Sequence, residues 1–156
     1  MKKSIYLVLL LSVFVTIVAF TSDKPETYHS IEGTWELENF YNFDGGNITD
    51  TLPTSEGYRQ VKMYYNGKVM WSRTTQKYIK DADGNNVKGR FGYGTYKITM
   101  NELIENIEYG DIGMMTELDT LRNFKFELWL GKDRYSQITL DEEGNRTFSE
   151  NYKRID

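Results

Sequence analysis

The punctuation of the chain constrains its fold more than any motif does. From Gly33 onward, runs of seven to eleven residues rich in Tyr, Thr, Val, Ile, Phe and Trp alternate with turn chemistry. The runs begin at Gly33, Tyr58, Lys68, Arg90, Glu102, Phe124, Arg134 and Arg146. Between them lie "NG", "GKD", "DEEGN" and "DADGNN", built from residues that accept tight or left-handed backbone. Asn66-Gly67 is the sharpest of these signals, because both residues tolerate positive φ and a two-residue hairpin needs that. Eight strands joined in sequence order by hairpins either stay open or close. Closure removes both edges, and eight is the number at which a barrel just holds one small ligand. The expected fold is therefore all-β: one eight-stranded antiparallel up-and-down β-barrel over residues 33–156.

The N-terminus reads differently. "MKKSIYLVLLLSVFVTIVAFTS" has a basic start and an apolar run from Ile5 to Phe20 that only Ser12 and Thr16 interrupt. This has the form of an export leader over residues 1–22, with an uncleaved membrane anchor as the rival reading. Residues 23–32 form a polar linker. Either way the barrel is expected outside the cytoplasm: periplasmic, envelope-associated or secreted. Removing the leader takes away Lys2 and Lys3 and moves the net charge from −4 to −6. An acidic chain of this kind is a poor partner for nucleic acid, which rewards a basic surface. Without Cys there is no disulfide, thiolate metal site or Cys nucleophile, and the single His29 builds neither a triad nor a multi-His centre. No cofactor is expected. "DADGNN" places Asp81, Asp83 and Asn85 at calcium-loop spacing, but Asn86 stands where such a loop needs Gly and Gly92 where it needs Glu. It reads as a hairpin loop.

Gly33-Thr34-Trp35 opens the first run, and Arg154 lies near the end of the last. This pairing resembles the G-x-W signature of lipocalin-like barrels. The ordered pieces "VKMYYNGKVMWSR", "GYGTYKIT", "ELIENIEY" and "NYKRI" are similar to small exported lipocalin-like proteins of Bacteroidetes, a group without a settled ligand. The resemblance spans about residues 31–156. It implies that Trp35 closes one barrel end, that Arg154 packs across its indole and that Gly33 lets the chain bend tightly around it. These three roles are structural, and no ligand contact carries over.

Period-two alternation assigns faces. It places Val69, Trp71 and Arg73 together, then Gly92, Gly94, Tyr96 and Ile98, then Leu103, Glu105, Ile107 and Tyr109. Phe124, Phe126, Leu128 and Leu130 share a face, as do Phe148, Glu150, Tyr152 and Arg154. In the run before Asn66-Gly67, a bulged turn would direct Val61, Met63 and Tyr65 inward and Lys62 and Tyr64 outward. A strict two-residue turn would pair Tyr65 with Lys68 and conflict with that assignment. The charged residues on inward faces are Arg73, Glu105 and Glu150, with Arg59 at their margin. One reading makes them an internal network, Arg73 meeting Glu105 or Glu150. The other makes Arg73, with Tyr65, Tyr96 or Tyr152, the holder of a polar or anionic ligand head. The candidate ligand-binding residues are Arg73, Tyr65, Trp71, Tyr96, Glu105, Phe126, Glu150 and Tyr152. "GDIGMMTELDTLRN" carries Ile112, Met115, Leu118 and Leu121 at three-residue spacing and predicts a short helix or folded loop over a barrel end. Trp129 and Tyr64, if outward, form an aromatic patch.

The functional expectation is a non-enzymatic exported protein that binds a small apolar or amphipathic molecule in the barrel. The alternative is a ligand-free cell-envelope module for protein or glycan contacts. A hydrolase using Glu105 and Glu150 is the third and weakest reading.

Overall fold

The computed structural model describes residues 29–53, 58–75, 84 and 89–156. The leader, most of the linker, and Asp81, Asp83, Asn85 and Asn86 lie outside the described residues. Among the described residues nine strands and one helix follow in chain order: β1 (Gly33–Asp44), β2 (Asn47–Pro53), β3 (Tyr58–Tyr65), β4 (Lys68–Thr75), β5 (Arg90–Ile98), β6 (Glu102–Gly110), α1 (Ile112–Leu118), β7 (Asn123–Leu130), β8 (Arg134–Leu140) and β9 (Arg146–Arg154). Every pairing is antiparallel, and β9 returns to β1 to close the sheet.

Eight strands make the ring, as the punctuation implies, and β2 is appended to it. β1 is long enough to serve two neighbours along one edge. Its first four residues pair with β3, from Gly33↔Tyr64 to Glu36↔Val61. Its second half, from Asn39 to Asp44, pairs with β2. "NITDTLP" gives no alternating signal and leaves Ile48 and Leu52 exposed, so nothing in its pattern distinguishes it from a loop.

The Asn66-Gly67 hairpin overturns the bulged register. Asn66 and Gly67 have φ of 47° and 73°, and Tyr65 pairs directly with Lys68, Tyr64 with Val69. With no extra residue in the turn, Gln60, Lys62 and Tyr64 face inward while Met63 and Tyr65 face solvent. A one-residue change of register inverts every side chain of a strand. Tyr65, expected in the lumen, is 76% exposed, and Tyr64 does not join an outer patch with Trp129. Arg59 is also outside, paired with Glu36 at 2.6 Å. A bulge between β5 and β6 causes a second inversion. Gly94 pairs with Ile107 and Tyr93 with Tyr109, so Glu108 is the extra residue and Tyr109 turns outward to meet the Tyr93 ring. Ile98, near the end of its strand, is also largely exposed.

The core gathers at the end where β1 starts. Ile31, Trp35, Leu37, Tyr64, Val69, Leu103, Tyr135 and Tyr152 are buried together. At Gly94 an added Cβ would stand 1.9 Å from the Asn106 carbonyl oxygen. Gly94→Ala is therefore expected to lower stability by about 1–3 kcal/mol, the usual cost of overpacking. An unchanged urea midpoint would show that the neighbouring strand yields freely.

Candidate ligand-binding site

The closed end sets the frame. Trp35 is fully buried, donates its indole N–H to the Ile31 carbonyl at 2.7 Å, and meets the Tyr135 ring edge-on. The Arg154 guanidinium lies 4.1 Å from the Trp35 ring centroid and donates to the Ser30 and Glu32 carbonyls, both at 2.8 Å. Gly33 sits at φ 134°, and a Cβ there would fall 2.2 Å from an Arg154 nitrogen. Glycine is required beside the tryptophan because the arginine occupies that space.

Above this plug lies a floor of linked polar side chains. Lys62 and Glu105, each 4% exposed at the side chain, form an ion pair with both contacts at 3.1 Å. The Lys62 ammonium also donates to Gln137 at 2.7 Å, and the Tyr64 hydroxyl donates to Glu105 at 2.6 Å. Glu150 accepts from the Tyr152 hydroxyl at 2.6 Å and from Gln137 at 2.9 Å. Gln60 reaches the Tyr152 hydroxyl at 2.5 Å and accepts from Tyr58 at 3.1 Å. Burial pushes the phenols of Tyr64, Tyr135 and Tyr152 well above their usual range. The carboxylates of Glu105, for the first two, and of Glu150, for the last two, push the same way. All three hydroxyls stay protonated, and those of Tyr64 and Tyr152 donate to Glu105 and Glu150.

An internal network therefore exists, but its cation is Lys62 and not Arg73. The register inversion hid this from the alternation, which placed Lys62 outside. Gln60, Tyr64, Tyr135 and Gln137 were missed as well. Once the turn is counted as two residues, the inward set of β3 follows.

A cavity of about 410 Å3 opens over this floor. Gln60, Lys62, Glu105, Gln137 and Glu150 form its base, and Trp71, Ile107, Phe124 and Phe126 its walls. Met114 and Leu118 of α1, with Arg73, Arg90 and Glu117, also line it. The helix joins the end of β6 to the start of β7, opposite the Trp35 plug. Asp111 caps it by accepting from the Met114 N–H at 3.0 Å, and these backbone donors lower the Asp111 carboxyl below its usual range. Met114 is the helix residue turned inward. Ile112 and Leu121 of the expected apolar stripe are exposed.

Of the eight candidates, Trp71, Arg73, Glu105, Phe126 and Glu150 line this one space. Tyr152 lies in the floor, its hydroxyl bound to Glu150. Tyr96 sits toward the plug, packed edge-on against Tyr64 with its hydroxyl 3.4 Å from Glu32, and Tyr65 is outside. Among the described residues, one buried side-chain polar atom lacks any hydrogen-bond partner: Arg73 Nε.

No family model matches the sequence, and no curated protein does. Two crystal structures match the fold. One is an uncharacterized protein from Bacteroides eggerthii DSM 20697, at 12% identity and TM-score 0.50, covering 81% of this chain and 100% of that one. The fold is lipocalin-like: a closed up-and-down ring with a tryptophan plug under an arginine of the last strand. The other is a lipocalin-like protein from Bacteroides uniformis ATCC 8492, at 13% identity and TM-score 0.47, covering 80% and 97%.

Proposed function

We propose that this protein is an exported, non-enzymatic binder of one small amphipathic molecule, held in the barrel lumen. The observation that carries this reading is the cavity, with apolar walls and a polar floor. Its volume falls within the roughly 300–1,000 Å3 typical of small-molecule sites, and the few convergent polar groups would fix orientation. The non-enzymatic part rests on the lumen carboxylates. Glu105 accepts from Lys62 and Tyr64, and Glu150 from Tyr152 and Gln137, so both carboxylates are taken up in the floor network. Export rests on the leader-like segment.

Native mass spectrometry of protein recovered from exported material without detergent tests this. The expected result is a reproducible extra mass of a few hundred daltons that disappears on denaturation. A bare mass from every preparation would shift the weight to the second reading, a ligand-free module working through its outer surface. That reading draws on a groove of about 450 Å3 outside the ring, lined by Tyr41, Phe43, Trp129, Ile138 and Asn151.

A further inference from the structure

Arg73 and Arg90 are direct cross-strand partners on β4 and β5, and both line the lumen cavity. Like charges placed opposite one another destabilise a sheet unless something negative sits between or beside them. Part of that compensation is visible. Glu117 of α1 binds Arg90 through both carboxylate oxygens, at 2.5 and 2.7 Å. The planar fork of a guanidinium matches a carboxylate in this bidentate geometry. Among the described residues no carboxylate pairs with Arg73. Its guanidinium stands 5.9 Å from the Tyr58 ring centroid, and its Nε is buried and unbonded. A buried donor without an acceptor is costly and is rare in a native protein.

We infer that the Arg73–Arg90 pair is an anion site for the carboxylate of an amphipathic ligand, and that Glu117 is an internal carboxylate which such a ligand displaces. This rests on the lumen reading above and narrows it to a ligand class. Trp71 lies two residues before Arg73 on the same inward face, and Phe124 and Phe126 line the same space, so an aryl or alkyl body would lie below its own acidic head. The Glu117 side chain is 64% exposed, so its ion pair with Arg90 is the weak, exchangeable kind. Releasing Glu117 also frees the helix that carries Met114 and Leu118 over the cavity. For an acidic ligand, anion exchange and release of the helix are thus coupled.

The test is a calorimetric titration of the mature protein with 2-naphthoate and, in parallel, with the neutral alcohol 2-naphthalenemethanol. The acid is expected to bind at least tenfold tighter than the alcohol. Arg73→Met should abolish that preference, with acid and alcohol then binding within about twofold of each other, while the urea midpoint stays nearly unchanged. Glu117→Gln should widen the preference for the acid over the alcohol severalfold, because the internal competitor for Arg90 is gone. If acid and alcohol bind equally to the wild type, the anion site is overturned and the lumen carrier stands. If neither binds up to millimolar concentration, both fall. If Glu117→Gln weakens acid binding, displacement is overturned and Glu117 instead helps to hold the site.

Discussion

Lys62→Ala is expected to destabilise the barrel by about 3–5 kcal/mol, the cost of leaving one member of a buried ion pair without its partner. The magnitude follows from what remains. Glu105 is 3% exposed and would keep the Tyr64 hydroxyl but lose the ammonium that contacts both its oxygens. Gln137 would lose its shortest donor at the same time. The informative control is the double variant Lys62→Met with Glu105→Leu. It removes both charges, keeps the volume, and should recover most of the loss, since a buried pair contributes little against a well-packed apolar replacement. Urea denaturation of the wild type, the single variant and the double variant decides it. A single variant within about 1 kcal/mol of the wild type would mean that water reaches Glu105 and that the floor is wet.

Trp35→Ala is expected to cost a comparable amount, about 3–5 kcal/mol, by a different route. Here the loss is packing: a fully buried indole stacked under Arg154 and set edge-on to Tyr135. Its removal also strands the Ile31 carbonyl, which accepts the indole N–H. The two variants should separate in a ligand assay. The Trp35 variant should bind normally at temperatures where it is folded, because the plug lies at the opposite end from Arg73 and Arg90. The Lys62 variant removes a group that lines the cavity and should alter binding directly. If Trp35→Ala loses binding while remaining folded, the plug and the lumen are mechanically coupled.

Sequence pattern resolved this protein unevenly, for identifiable reasons. The ring strands were legible because hairpin turns and β-rich runs are local features. The plug was legible because Gly33, Trp35 and Arg154 form a recognisable pattern. The inward face of β4 was correct throughout, which brought Trp71 and Arg73 to the cavity. The face of β3 was inverted, and with it went Lys62, the cation that Glu105 needs. Alternation cannot arbitrate there: "YRQVKMYY" places apolar Val61 and Met63 on one face and amphipathic Tyr64 among polar groups on the other. A rule that sends apolar residues inward fails when the lumen is built to be polar. The bulge at Glu108 and the appended β2 were invisible for a related reason, since both depend on which strand lies alongside. The Arg73–Arg90 juxtaposition requires the β4–β5 register, which no two-residue turn signal fixes in the sequence.

The two-residue turn at Asn66-Gly67 also bears on how such barrels diversify. One inserted residue there would slide β3 against β4 and present Val61, Met63 and Tyr65 to the interior in place of Gln60, Lys62 and Tyr64. The lumen would change from ionic to greasy without a single substitution in its wall. The length of this one hairpin thus sets which chemistry β3 turns toward the lumen. A chain with the same strands but a longer hairpin at this position would be expected to line its lumen differently.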